Sequence, residues 1–349
     1  MQVRTEEKPE EQRMGRPGAR VVASCVGAAF LLVTGCSSSN DEDQAVTIAP
    51  ASAAQSPAQA TTPAGVVHPI GQPIESVTID PDTRTAVVLV GDRREVLLFA
   101  GGDLGAAPRS IRLNEPVTQV SLAPGGTALL AMNGQVGRLD LRSAELDSVP
   151  ADGDVRSVAQ LPDGRLAVGL GNGEIHIAGS EGAESQVIDG LTSVDALAVV
   201  GESLTALDRG QTSVTEVDIP KSSLGAALRA GEGATQLTTD HFGRILVTDT
   251  AGDELLAYTT DTLMLRQRFP AGDAPYGVAY DDEANRAWVT STGTNEVVAY
   301  DLASGVGVET ARYPTVRQPN SIAVDTVSGD LLIGSGTGDG LQQIPTRSS

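Results

Sequence analysis

From about residue 67 onward the chain alternates between short β-branched runs and turns built of Gly, Asp and Asn. No stretch holds a 3.6-residue apolar period for three turns, apart from a weak one near Ser222–Arg229. Helices bury side chains with that period and strands with a period of two, so the pattern predicts an all-β domain. The runs recur as a phrase of three. Ser76–Pro81 is followed by Ala86–Val90 and Val96–Phe99. The phrase returns as Val120–Pro124, Ala128–Ala131 and Gly137–Asp140, then as Ser157–Pro162, Leu166–Val168 and Ile175–Ile177. A degenerate fourth copy runs through Ala196–Val199, Leu204–Leu207 and Val214–Val217. The fifth opens at Gln236–Asp240, the sixth at Gly277–Asp281 and the seventh at Ser321–Asp325. Pro81, Pro124 and Pro162 are 43 and 38 residues apart, and Asp240, Asp281 and Asp325 are 41 and 44 apart.

Seven copies of about 40 residues, each with room for four short strands, predict a seven-bladed β-propeller over residues 67–349. A lone four-stranded sheet has two faces to bury, and radial packing covers both. The last copy has no fourth strand after Ile344, so Val66–Ile70 is expected to supply it and to staple the two ends of the ring. The landmark residues Asp80, Asp240, Asp281 and Asp325 follow the first strand of their copies. Asp bonds nearby backbone N–H groups, so these four are expected to cap turns.

The chain before the repeats reads as an address and a tether. Val21–Val33 is a 13-residue uncharged run flanked by Arg16 and Arg20. It is shorter than the roughly 20 residues a membrane-spanning helix needs and suits the apolar core of a signal peptide. Leu32-Val33-Thr34-Gly35-Cys36 resembles the bacterial lipobox, which implies a signal peptide over 1–35 and a lipid on Cys36. Glu6, Glu7, Glu10 and Glu11 stand where such a signal carries bases, which points to translation starting at Met14. Ser37–Val66 contains no Lys, Arg or aromatic residue. Such a composition cannot bury enough apolar surface to offset chain entropy, so residues 36–66 are expected to form a flexible linker with a coil span of roughly 30 Å. The expected location is the extracytoplasmic face of the cell membrane, anchored through Cys36.

Charge removes several function classes. Forty-five acids stand against 24 bases, for a formal charge of −21. Phosphate backbones demand a basic surface, so nucleic acid is not an expected partner. Three histidines and two cysteines argue against a multi-ligand zinc site or a disulfide framework. With 3% aromatics, the core must be built from Val, Leu, Ile and Ala. No Gly-x-Ser-x-Gly elbow and no P-loop is present. His68, His176 and His241 are isolated from one another in sequence, in the closing segment, a third strand and a turn.

Two motifs carry a family resemblance. Ala287-Trp288-Val289-Thr290-Ser291-Thr292-Gly293-Thr294-Asn295-Glu296-Val297-Val298-Ala299-Tyr300-Asp301 resembles the YVTN-type β-propeller repeat. Tyr276-Gly277-Val278-Ala279-Tyr280-Asp281 and Asn320-Ser321-Ile322-Ala323-Val324-Asp325 resemble the repeat opening shared by YVTN-type and NHL-type propellers. The whole chain is similar to actinobacterial exported lipoproteins of this type, and 22 of its 24 bases are Arg, as suits a GC-rich genome. The resemblance implies fold rather than function, because propellers host binding, scaffolding and catalysis alike.

In a propeller the loops that lead into strand one and that join strands two and three meet at one face, around the central channel. That mouth is the default ligand site. Here those positions are Glu75, Asp92, Arg93, Asp208, Arg209, Asp249, Tyr276 and Asn320. Glu75 and Asn320 also look like two ligands of calcium-dependent lactonase-like propellers, since hard cations take oxygen ligands. Their order around the ring departs from that family, in which the Asn copy is mid-ring and an Asp follows about one copy later. Here Asn320 is in the last copy and Tyr276 occupies the equivalent slot one copy earlier. The leading expectation is therefore a non-enzymatic, monomeric propeller, without catalytic residues or a cofactor, that binds a partner protein or cell-envelope ligand. A Ca2+-dependent lactonase-like hydrolase and a periplasmic solute- or cofactor-binding protein are the alternatives.

Overall fold

The computed structural model describes residues 47–178 and 185–347. Cys36, the signal segment and the first part of the expected linker lie outside the described residues. The described residues form seven four-stranded antiparallel sheets. Their first strands are Ile74–Asp80, Val117–Ala123, Val155–Gln160, Ala196–Val200, Ala234–Thr239, Pro275–Asp281 and Pro319–Val324. Each first strand touches the next, and the seventh returns to the first. This is the all-β seven-bladed propeller that the repeat predicts.

Burial explains which strands were visible in the sequence. The second strands are buried along nearly their whole length, and Thr85–Val90 at every residue. They have a strand on either side and a neighbouring blade on either face, so they read as continuous apolar runs instead of alternating ones. The fourth strands, among them Arg109–Arg112, Leu146–Pro150 and Met264–Pro270, form the outer rim and are mostly exposed. They need no apolar pattern, which is why the repeated phrase had three members. The weak helical period near Ser222–Arg229 is a fourth strand, Ser223–Arg229. Its pairing shifts register between Thr215 and Val217 on the partner strand. That bulge interrupts the alternation of two and leaves a spacing that mimics a helix.

Ring closure follows the expected route. Val66–His68 pairs with the last strand through Val66↔Gln343, Val67↔Gln342 and His68↔Leu341. Blade seven thus takes its outer strand from the N-terminal side of the domain. The cores lie between blades. Val87, Leu89, Val96 and Leu98 of blade one meet Ala128, Leu130, Met132 and Leu139 of blade two. Most buried aromatics lie in blades five and six, where Tyr258, Phe269, Tyr280, Trp288 and Tyr300 are buried, while blade one contributes Phe99. Phe242 is the exception to that packing role: it is 62% exposed, in a turn beside His241.

The turns after the first strands face away from the channel mouth, and in blades one, five, six and seven aspartate caps them. Asp80 accepts hydrogen bonds from the N–H and hydroxyl of Thr83, both at 2.7 Å. Asp240 accepts from the N–H groups of Phe242 and Arg244, and Asp281 from those of Glu283 and Ala284. Two caps also join blades: Arg84 of blade one reaches Asp325 of blade seven at 2.5 Å, and Arg347 reaches Asp281 of blade six at 2.8 Å.

The described part of the expected linker departs from a free tether. Residues 47–65 contain no helix or strand, yet they lie along the mouth face of blades four to seven. Ile48 N–H donates to Gly210 O at 2.8 Å. Ser56 donates its hydroxyl to Thr292 O at 2.7 Å and accepts from Gln318 N–H at 3.1 Å. Asn295 donates to Pro57 O, Gln59 to Thr315 O, and Gln342 to Ala64 O. The segment is a strap. Its composition lacks a core of its own, but the ring supplies the bonding partners.

Candidate functional site: the channel mouth

The residues at the mouth are placed by a repeated backbone device. In six blades the pairing of strand one with strand two slips near its start: Ile74/Ser76, Val117/Gln119, Val155/Ser157, Ala234/Leu237, Pro275/Val278 and Pro319/Ser321. A bulge gives two residues on one strand to one on the other, and so turns a side chain out of the regular alternation. The skipped positions include Glu75, Thr118, Arg156, Tyr276 and Asn320. In blade four no slip occurs, and Asp195 at the corresponding place donates its N–H to Leu207 O at 2.9 Å.

Inside the ring of first strands lies a cavity of about 460 Å3. Of the eight predicted residues, Glu75, Arg93, Arg209 and Tyr276 line it. Arg93 sits in the hairpin between strands two and three of blade one with φ of 66°, a left-handed conformation that few non-glycine residues adopt. Its Nε donates to Glu75 at 2.9 Å. Arg209 lies in the equivalent hairpin of blade four, and its Nη2 donates to the strap carbonyl of Ala51. Tyr276 sits at the bulge of blade six, half-buried against the channel.

The other four are engaged elsewhere. Asp92 is exposed on the hairpin of blade one, with Arg94 at 3.8 Å. Asp208 is fully buried and accepts from Thr192 N–H at 2.7 Å and Gln211 N–H at 2.9 Å. Asp249 is also fully buried and accepts from the N–H groups of Glu232, Gly233 and Gly252. Both aspartates therefore organise the loops that lead into the channel. Asn320 accepts from Gln318 Nε2 at 3.0 Å, and its backbone carbonyl accepts from Gln236 at 3.2 Å. The two ligands suggested by the lactonase resemblance thus hold different protein partners, Arg93 for Glu75 and Gln318 for Asn320. Among the described residues no group of three or more His, Cys, Asp or Glu converges as a metal site.

Sequence reasoning missed Asp195, Thr78, Gln119, Gln236 and Thr238, all of which line the channel. A signal was present for two of them. Gln119 and Gln236 each stand two residues after the buried first residue of their strand, Val117 and Ala234. Finding them requires knowing the phase of the bulge. A second cavity of about 310 Å3 opens beneath the strap, between Ala58, Gln59 and Pro63 on one side and Val316, Arg317 and Asp339 on the other.

No family model matches the chain, and the search of curated proteins finds no match. Solved structures match across the ring. One is a chain of the mitotic checkpoint complex, at 14% identity and TM-score 0.70, covering 85% of this chain and 99% of that one. Another is hydrazine synthase of Kuenenia stuttgartiensis, at 14% identity and TM-score 0.65, covering 83% and 99%. A third is a catalytically inactive virginiamycin B lyase of Staphylococcus aureus with quinupristin, at 11% identity and TM-score 0.65, covering 81% and 97%. The neighbours include an enzyme and a checkpoint assembly, so at these identities the likeness shows the seven-bladed fold alone.

Proposed function

We propose that this chain is a binding propeller, held at the extracytoplasmic face of the membrane by a lipid on Cys36, that receives a partner protein or cell-envelope ligand at its channel mouth. The observation that carries the reading is the convergence of Glu75, Arg93, Arg209 and Tyr276, from blades one, four and six, on one cavity of about 460 Å3. That volume lies within the usual range of ligand sites. The lipobox-like Leu32–Cys36 and the YVTN-like repeats support the exported lipoprotein part of the reading.

Two measurements test it. Cys36→Ser is expected to move the protein from the membrane to the soluble fraction, and retention in the membrane would overturn the anchor. A photo-crosslinking residue at Asp92, on the mouth, is expected to capture a reproducible product in intact cells. The same residue at Asp163, on a turn of the opposite face, is expected to capture none. Equal capture at the two positions would overturn the mouth as the binding face.

A further inference from the structure

We propose that the channel mouth takes an acidic, hydroxyl-rich small molecule of the uronic-acid oligosaccharide class, its carboxylates meeting the guanidinium groups of Arg93 and Arg209. The inference rests on the mouth being the binding face and adds the chemistry of the ligand.

The charges at the mouth are unequally used. The channel lining holds two acids, Glu75 and Asp195, and two bases, Arg93 and Arg209, in a chain of formal charge −21. Both acids are spent on the protein. Glu75 accepts from Arg93 Nε at 2.9 Å. Asp195 accepts from the Ser193 hydroxyl at 2.5 Å and from Arg209 N–H at 2.8 Å, with Arg156 Nη1 a further 3.7 Å away. Both bases retain donors. A guanidinium carries five N–H groups. Arg93 uses only Nε, and among the described residues its two Nη atoms have no protein partner. Arg209 uses Nη2 on Ala51, while its Nε is buried without a partner. The Arg93 side chain is half exposed, so its Nη groups are open to a ligand, and in Arg209 the Nη1 group remains unspent among the described residues. A carboxylate supplies acceptors in the planar geometry that a guanidinium matches.

Two further observations narrow the class. Blades one and four stand as far apart as two blades in a ring of seven can, so the two guanidiniums call for acid groups at separate points of one ligand, not one small anion. Between them the wall is neutral and polar. Thr78 and Thr238 have hydroxyls with no protein partner among the described residues. Gln119 uses only its Oε1, on Val158 N–H, and Gln236 only its Nε2, on Asn320 O. Hydroxyls and amides that face a cavity unspent are suited to hydroxyls of a ligand. An acidic disaccharide combines both demands at a size the cavity of about 460 Å3 holds.

The test is calorimetric titration of the full chain in detergent with digalacturonate, lactose and glutarate. Digalacturonate carries both carboxylates and hydroxyls, lactose only hydroxyls, and glutarate only carboxylates. Digalacturonate is expected to bind at least tenfold more tightly than either of the others, and more weakly as sodium chloride is raised. Arg93→Gln and Arg209→Gln are each expected to weaken it about tenfold. Thr78→Val, which leaves the charges in place, is expected to weaken digalacturonate while leaving the salt dependence unchanged. Circular dichroism melts of each variant confirm that the ring is folded. Absent binding of digalacturonate, equal binding of lactose, or unchanged affinity in both Arg variants would overturn the proposal. If crosslinks still map to the mouth while digalacturonate fails to bind, the ligand class is wrong and the binding face stands.

Discussion

Among the described residues, the strap divides the mouth face into a covered half over blades four to seven and an uncovered half over blades one to three. The covered half receives the strap on small and amide-bearing residues: Gly210, Gly233, Asn295 and Gln318. A Cβ on Gly233 would stand 2.7 Å from the Cβ of Ala51, so the absence of a side chain there makes room for the strap. The uncovered half presents Asp92, Arg93, Arg94, Asp154 and Arg156, largely paired among themselves. The contrast teaches that a segment poor in apolar residues is not thereby free. Whether it is held depends on the surface that receives it, and that surface is scattered over four blades in sequence.

Four changes break or sharpen this contrast, from the largest expected effect to the smallest. Deleting residues 65–72 removes the closing strand and the packing of Val67 against the core of blades six and seven. A melting temperature lower by roughly 10 °C or more is expected, whereas deleting 47–60 should cost only a few degrees. Equal shifts would mean that strap and staple are one unit. Next, Asp249→Ala leaves three loop N–H groups without their buried acceptor. A loss of about 3 kcal/mol in denaturant unfolding is expected, against almost none for Asp92→Ala on the exposed rim. Third, Gly233→Val should expel the strap, seen as faster proteolysis within 47–60 with unchanged amide exchange in blades one to three. Ser56→Ala should loosen it more gently, by about 1 kcal/mol.

The smallest effect on the strap belongs to the opposite face, which serves as a control. Burial opposes ionisation of Asp325, but the Arg84 guanidinium, the Ser328 hydroxyl and the Val327 N–H outweigh it and hold the carboxyl below its ordinary range. Its folded-state pKa is therefore lower than its unfolded one, near 3.9. The stability it contributes is fully present above that unfolded value and is lost as pH falls through the folded one. Asp325→Asn should flatten the acid limb of the stability curve without changing strap proteolysis at neutral pH.

Much of the ring was legible because its demands are periodic. Buried second and third strands must be apolar in every blade, so Ala86–Val90 and its six counterparts stand out. The turn after strand one needs an acceptor for its N–H groups, so Asp80, Asp240, Asp281 and Asp325 recur. The closing strand was legible as the missing fourth strand of the seventh copy, once Ile344 was seen to end that copy too early. The outer strands and the strap were not legible, since exposed edges and backbone-mediated contacts impose no pattern on side chains. The site was half legible. Position in the repeat identified the mouth, but it could not separate Arg93 and Arg209, which face the channel, from Asp208 and Asp249, which are buried beneath the loops. Aspartate beside a sharp turn serves backbone N–H groups whether it faces a ligand or not.

The staple in blade seven has a kinetic consequence. Gln342 and Ala64, joined by a hydrogen bond at 2.7 Å, are 278 residues apart in the chain. Bringing such distant points together costs about 5 kcal/mol of loop-closure entropy when the intervening chain is flexible, and far less once six blades have already curved it into an arc. The seal is thus made last and cheaply, after neighbouring blades have assembled from their local hairpins. A chain shortened by its final ten residues would retain six complete blades but lose Leu341–Pro345, leaving the edge of Asp330–Ser335 in blade seven and the orphaned Val66–His68 exposed to pair with another molecule.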